Sequence, residues 1–361
     1  MQEHSIPRAP RCFWENDLLS HEDAQLAQVI FRLLKQATSQ QVVRDFLKAH
    51  NIRTSAANWD DLFTRRIQPA LDDETLTVKQ LRSLLQEVEE CGKQHTFLFA
   101  CPPDAARAIL SRSRIERLAI EHGVRALLTA PLDLELPDSA TLVDIRLVGR
   151  EGVDELDGLV VKQVETRHTR VFVGESHDAD AGTMTRRYSI TKKRAVNVAY
   201  LNAEGLLELR VASQDNKSHY HENVASLRAG IAPFIPRDGF GVVSLSRAKK
   251  RLWEDRETLS DEIRYSHSSA RNDFGYTMSV SSSAQEDNLS NDGGSTAAMQ
   301  SFLNGDGHIV GANLYVKIPD TDPVREVHLL ISGDVNEFAV PVSCSAGDYE
   351  YVRRKILAIN R

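Results

Sequence analysis

Cysteine is scarce and scattered. The four residues, Cys12, Cys91, Cys101 and Cys344, never form a C-x-x-C pair, which argues against a zinc knuckle and a disulfide framework and leaves buried free thiols as the expectation. Long apolar runs are missing as well: "HTFLFACPP" and "HIVGANLYVKI" fall far short of the roughly 18 to 20 residues that span a bilayer. Neither G-x-x-x-x-G-K-[ST] nor G-x-G-x-x-G occurs, which disfavours phosphate-loop nucleotide chemistry, and "NDGGST" at 291–296 has no lysine after it. The first residues, "MQEHSIPRAPRCFWENDLLSHEDAQ", mix acids and prolines without a basic-then-apolar plan, so no secretory signal is read and the cytoplasm is the expected location.

What is present is an ordinary soluble composition. Of 361 residues, 41% are hydrophobic and 26% charged, enough to bury a core and long enough for two or three domains. The formal charge is −7, so any nucleic-acid contact has to use a local basic surface rather than a global positive field.

The first 125 residues read as mostly helical. Leu26, Val29, Ile30, Leu33 and Leu34 form one apolar stripe over 21–37. A second helix begins at "TSQQVVRDFLKAHN", where Thr38 or Ser39 can cap the free N–H groups; Val42, Val43, Phe46 and Leu47 supply its buried face, and Asn51 behind it can take the left-handed conformation that ends a helix. "IRTSAAN" is extended, Ser55 or Asn58 can cap "WDDLFTRRIQPAL", and Pro69 disturbs the last turn of that helix. Further helices follow over "DDETLTVKQLRSLLQEVEECGKQH", with Gly92 as its cap, and "DAARAILSRSRIERLAIEHG"; "HTFLFACP" between them reads as a strand.

From about Ala140 the period changes to that of strands. "TLVDIRLVG", "LDGLVVKQVETRHTRVFVGE", "TMTRRYSITKKRAVNVAYL" and "GLLELRVAS" form an antiparallel meander, with "NAEG" as a hairpin connection. "KSHYHENVASLRAGIAPFIP" and "LSRAKKRLWEDRETLSDEIRYSH" read as helices, Ser279–Gly307 as a mobile linker, and the remainder as three strands and a helix capped by Ser345. The expected class is α+β: a helical domain at 1–135, an antiparallel β-rich domain with helices at 136–275, a flexible Ser/Asn/Gly-rich loop at 276–307, and a segment at 308–361 that completes the second domain.

Four groups of residues bear on function. "LKAHNIRTSAANWDDLFTRRI", Leu47 to Ile67, joins two helices by an extended link, and its "LK" at 47–48, Ile52, "TS" at 54–55 and Leu62, Phe63, Arg66 and Ile67 resemble the SAP and HeH type of helix-extended-loop-helix motif. That resemblance implies binding of DNA and in some cases RNA, although Asn51 stands where those families have glycine, "AANW" stands where they have Gly-x-Lys, and the link is longer. Helix-start N–H groups and the hydroxyls of Thr54 and Ser55 could then meet phosphate oxygens, with Lys48, Arg53, Arg65 and Arg66 supplying charge. "TRRYSITKKRAV" is the strongest basic signal: Arg186, Arg187, Lys192, Lys193 and Arg194 flank Tyr188, and with "RHTR" at 167–170 and "RAKKR" at 247–251, including Lys249 and Lys250, they could form a positive sheet surface. The competing reading is that lysine and arginine protect edge strands from aggregation.

Two weaker groups point to metal chemistry. "SHYHE", with His219, His221 and Glu222, and "ESHDAD", with His177, Asp178 and Asp180, offer ligand types, but H-x-H on a helix diverges. Asp154, Glu155 and Asp157 followed by Lys162 resemble loosely a nuclease arrangement of carboxylates beside a lysine. The expectation is therefore a non-enzymatic accessory subunit of a larger complex that contacts the phosphate backbone of DNA, or of RNA, with low sequence specificity. No cofactor, metal ligand, catalytic residue or membrane contact is assigned. The alternatives are a metal-dependent nuclease and a protein-interaction scaffold.

Overall fold

The computed structural model describes residues 21–178, 180–214, 220–282, 287–319, 321 and 323–361. The fold is α+β, and the chain divides into two compact units, Met1–Leu85 and Gln86–Arg361. The division thus falls at 85/86 rather than near residue 135, because the strand after Gly92 is central to the sheet and brings the segment up to 135 into the second unit.

The first unit is helical. In α1 (His21–Ala37) the side chains of Ala27, Ile30, Phe31, Leu33 and Leu34 are buried. Helix α2 (Gln40–Ala49) buries Val43 and Leu47, and Asn51 ends it at φ 58°, which lets the Ile52 N–H donate to the Leu47 carbonyl at 2.9 Å. This is the left-handed turn its asparagine permits. Asn58 accepts the Asp61 N–H at 2.9 Å and caps α3 (Trp59–Leu62). The chain then widens into a π-helical turn, Phe63–Ile67, before α4 (Gln68–Asp72). Pro69 explains the widening: its ring clashes with the carbonyl four residues back and it donates no hydrogen bond. The Arg66 guanidinium donates to the carbonyl of Arg65, the residue four before Pro69, at 3.2 Å. Helix α5 (Val78–Glu90) starts with a reciprocal cap, Thr77 N–H to Gln80 Oε1 at 2.8 Å and Gln80 N–H to Thr77 Oγ1 at 3.2 Å.

The second unit is one antiparallel sheet. Its strands are β1 (Gly92–Ala100), β2 (Thr141–Val148), β3 (Gly158–Asp178), β4 (Thr183–Asn202), β5 (Leu206–Ala212), β6 (Gly241–Val242), β7 (Ile263–Asn272), β8 (Thr277–Ser281), β9 (Gly307–Ile318), β10 (Arg325–Ile331) and β11 (Glu337–Ser343). They run in the order β2-β3-β4-β5-β1-β11-β10-β9-β7-β8, with β6 paired to the end of β1. The helices are α6 (Pro103–Ile109), α7 (Arg112–Glu121), α8 (Tyr220–Ile231), α9 (Ser246–Glu254), α10 (Gly293–Asn304) and α11 (Ala346–Ile359).

Strand β1 is buried on both faces, and the two halves of the sheet are covered on opposite sides. Phe97 and Phe99 join Ile115, Leu227 and Ile231 of α7 and α8 in one core. Leu98, pointing the other way, joins Leu252, Val352 and Ile356 of α9 and α11 in the second. Gly92 opens β1 at φ +83°, where a Cβ would lie 2.0 Å from the Val342 carbonyl oxygen, so this turn requires glycine.

The meander of β2 to β5 and the three late strands match the sequence pattern. Two stretches differ. The long amphipathic helix expected over "LSRAKKRLWEDRETLSDEIRYSH" stops at Glu254, and β7 begins at Ile263 because Ile263 and Tyr265 alternate into the core. The segment 276–307, expected as a flexible loop, contains β8 and α10; Asp292 caps α10 by accepting from the Gly294 N–H at 3.1 Å. Residues 283–286 of that segment lie outside the described residues. No described helix is long and apolar enough to cross a membrane.

Candidate nucleic-acid interface

The β3–β4 hairpin outgrows its sheet. Pairing with β2 ends at Val164 and pairing with β5 begins at Val198, whereas β3 and β4 stay paired from Gly158–Asn202 out to Asp178–Thr183. The outer twelve residues of β3, from Arg167, extend about 40 Å at roughly 3.3 Å per residue. Among the described residues no further strand pairs with their backbone edges, and β4 is exposed from Thr183 through Lys193. We call this ribbon the arm.

Register assigns its faces, because directly paired residues point the same way. One face presents His168 with Lys192, Arg170 with Ile190, Phe172 with Tyr188, Glu175 with Arg186 and His177 with Met184. An irregularity between Phe172 and Gly174 inserts Val173 into β3 and keeps the later pairs in phase with β4. The Phe172 and Tyr188 rings meet edge to face at 5.8 Å, and the Arg186–Glu175 ion pair spans 3.3 Å. The opposite face carries Arg167 with Lys193 and Gly174 with Arg187, but is otherwise mainly hydroxyl-bearing: Thr169, Thr191, Ser189, Ser176, Thr185 and Thr183. The cations thus divide evenly between the two faces, whereas both aromatic rings lie on one.

Between Thr166 and Arg194 the sequence holds seven basic residues (Arg167, Arg170, Arg186, Arg187, Lys192, Lys193 and Arg194) against three acidic ones (Glu175, Asp178 and Asp180), in a chain of net charge −7. Arg170, Arg186, Arg187, Lys192 and Lys193 are exposed; of these, Arg186 alone forms an ion pair among the described residues.

Arg194 does not belong to this surface. Its side chain is 6% exposed, ion-paired to Glu89 and donating to the Leu134 carbonyl at 2.7 Å, and burial pushes its pKa down to about 10, leaving it charged at neutral pH. Lys162, on the same face further in, meets Glu89 at 2.6 Å and Glu90 at 3.3 Å. Arg146 reaches Glu90 at 2.5 Å and Asp144 at 3.2 Å. Three acids and three bases therefore cancel in a buried cluster within the second unit, to which the last turn of α5 from Gln86 belongs. Burial raises the Asp144 pKa, with Arg146 and Lys162 opposing. For Glu90 burial also pushes up, but the charges of Lys162, Arg146 and Arg210 outweigh it and the pKa is lowered.

Lys249 is the second correction. It is 5% exposed, and burial lowers its pKa against the opposing pull of Glu337 and Asp334. "RAKKR" wraps around α9 instead of forming a patch: Lys250 is exposed and pairs with Glu254 at 3.6 Å, while Arg251 donates to the Ile359 carbonyl at 3.4 Å. In the helical unit, Lys48 and Arg53 are exposed and Arg65 pairs with Asp61 at 3.3 Å. Arg66 is engaged internally, donating from Nε to the Ser55 carbonyl at 2.8 Å and from Nη2 to Ser55 Oγ at 2.9 Å; it clips the extended link to the second helix. From His21 to Leu85 there are nine basic and eight acidic side chains, so no strong positive field arises there.

The acidic hairpin and its lysine are not brought together. Asp154 caps α7, accepting from Ser113 N–H and Ser111 Oγ, both at 2.8 Å, and these hydrogen bonds lower its pKa. Asp157 is exposed and lies five residues, about 16 Å along the strand, from Lys162, which Glu89 and Glu90 already occupy. Among the described residues no three His, Cys, Asp or Glu side chains are placed to hold a metal ion. His219 lies outside the described residues, and His221 faces Asp334 at 3.4 Å. Cys91, Cys101 and Cys344 are free thiols, and burial pushes Cys91 up to about 11.

A further constellation escaped sequence reading. His95 of β1 is hydrogen-bonded through Nδ1 to Glu337 of β11, and the Tyr220 ring stacks on the imidazole at 4.0 Å. Three segments distant in sequence meet there, and no local pattern announces it. The carboxylates of the buried cluster did leave a sign: α5 has no basic residue in its last turn and ends in Glu89 and Glu90, which the negative end of a helix dipole disfavours. Acids so placed need cations from elsewhere. No protein-family model matches the chain, and no curated protein matches it.

Proposed function

We propose that this protein is a non-enzymatic accessory subunit that holds nucleic acid, in the first instance DNA, by its phosphate backbone through the arm, with little sequence specificity. The observation that carries the reading is a protruding two-stranded ribbon whose five exposed cations, Arg170, Arg186, Arg187, Lys192 and Lys193, lie on a chain of net negative charge. A ribbon of this width fits a major groove, and scattered cations on it meet phosphates without reading bases. The SAP-like unit offers Lys48, Arg53 and Arg65 as additional contacts.

Salt dependence tests it. Five neutralised phosphates give a slope of log K against log salt of about −4.5, so raising salt from about 50 to 200 mM weakens duplex binding by roughly 500-fold. In a mobility-shift titration, replacing Lys192 and Lys193 by alanine flattens the slope by about 1.8. A wild-type shift that survives this double change unaltered removes the arm from the interface, and absence of any shift at low salt removes nucleic acid altogether. The second reading, a protein-interaction arm, is favoured by the half-exposed Phe172, Tyr188 and Ile190 and the open strand edges; it requires that last outcome.

A further inference from the structure

The cations of the arm do not account for its aromatic and apolar side chains. Phe172 and Tyr188 are 53% and 50% exposed and Ile190 is 61% exposed, all on the face that carries Arg170, Arg186 and Lys192. A ribbon that needed charge only for solubility gains nothing from rings turned to water beside those charges. Along β4 the outward order on this face is Lys192, Ile190, Tyr188 and Arg186 at two-residue steps, with Phe172 opposite Tyr188, so both rings stand between cations.

We infer that this face binds single-stranded nucleic acid, with unpaired bases stacking on Tyr188 and Phe172 while Arg170, Arg186 and Lys192 follow the phosphates. The inference rests on the arm being the phosphate-binding element and adds the state of the strand. In a duplex the base faces are covered by their neighbours, so exposed rings find no partner without unstacking a step. In a single strand every base offers a π-face, and interleaved aromatic and basic residues satisfy both parts of each nucleotide. The acidic tip, Asp178 and Asp180, repels phosphate and limits the contact to the part of the arm nearer the sheet.

The test is fluorescence anisotropy of the full chain with a labelled oligothymidylate of about 20 nucleotides and with a duplex of equal length. A base stacked on an aromatic ring contributes about 1–3 kcal/mol, so Tyr188→Ala weakens single-strand binding by roughly 5- to 150-fold, leaves duplex binding within twofold, and Tyr188→Phe restores the wild-type affinity. Tyr188→Leu, which keeps apolar contact but no ring, behaves like the alanine variant. Equal losses on both oligonucleotides, or none on either, overturn stacking while leaving the phosphate reading intact. Failure of the wild type to bind either oligonucleotide at low salt overturns both. Circular dichroism on each variant keeps loss of the hairpin apart from loss of the ring, and Phe172→Leu repeats the comparison from the partner strand.

Discussion

Replacing Arg194 by alanine is expected to unfold the second unit's sheet more readily rather than to act as the loss of a ligand contact. The Glu89 side chain is 2% exposed and is held by two cations, Arg194 and Lys162, of which Lys162 also serves Glu90. Removing Arg194 leaves a buried carboxylate with one shared partner and frees the Leu134 carbonyl that accepts from its Nε at 2.7 Å. Breaking a buried pair on one side costs about 3–5 kcal/mol, and an unmet carbonyl adds about 1 kcal/mol or more. Urea unfolding followed by circular dichroism should show a loss in that range. Adding Glu89→Gln to the same chain removes the stranded charge and should recover at least about 1 kcal/mol, a coupling that a double-mutant cycle isolates. A loss below about 1 kcal/mol for Arg194→Ala, or a double variant no more stable than the single one, would falsify the account of Glu89 as a buried charge dependent on Arg194.

Neighbouring acids in that cluster should respond to pH with opposite signs. Burial raises the Asp144 pKa above its unfolded value, so its ionisation weakens the fold as pH rises through the raised value; Asp144→Asn should therefore melt higher than wild type at pH 7, with the difference shrinking toward acid. Glu90 is lowered overall, so its contribution is present above the ordinary carboxylate range and is lost as pH falls through the lowered value. Glu90→Gln should melt lower at pH 7 and converge on wild type in acid; the same sign for both variants would contradict the cluster's electrostatics. Gly92→Ala combines a positive φ with a Cβ 2.0 Å from the Val342 oxygen, and should destabilise well beyond the roughly 1 kcal/mol of an unhindered glycine replacement; a variant as stable as wild type shows that the β1–β11 register adapts.

Local chemistry was the legible part of this fold. Asn51 and Asn58 mark helix ends through their own backbone and side-chain hydrogen bonds, and the strands from Thr141 to Ala212 alternate clearly enough to be placed. What the sequence hid depends on distant partners. Strand β7 follows "RLWEDRETLSDE", whose charges extend the helical pattern until Ile263 turns into the core. The Ser- and Gly-rich composition before Met299 resembles a linker, yet Asp292 caps a helix there and Met299 is fully buried. Among the basic residues, Arg187 and Arg194 look alike in sequence; only the meeting of α5 with β4 makes one buried and leaves the other in water.

That contrast bears on the edge-protection alternative. Along one face of the β3–β4 pair, Lys162 and Arg194 come first and are neutralised by Glu89 and Glu90. Lys192, Arg170 and Arg186 continue outward beyond the reach of α5, the last of them paired to Glu175 and the other two without ion pairs among the described residues. The acids of α5 stop where the sheet stops, and the cations of the ribbon do not. Protection from strand pairing needs charge along the edges but no particular face, and it is undone by Phe172, Tyr188 and Ile190 left half-exposed beside those charges, since apolar rings on an open ribbon invite association. Positive charge and exposed rings on one face are compatible with solubility when a polyanion with stacking surfaces covers both. Exposed rings set between cations are therefore the feature that distinguishes a binding arm from a protected edge, and replacing both Tyr188 and Phe172 by leucine, which leaves every charge in place, should abolish single-strand preference.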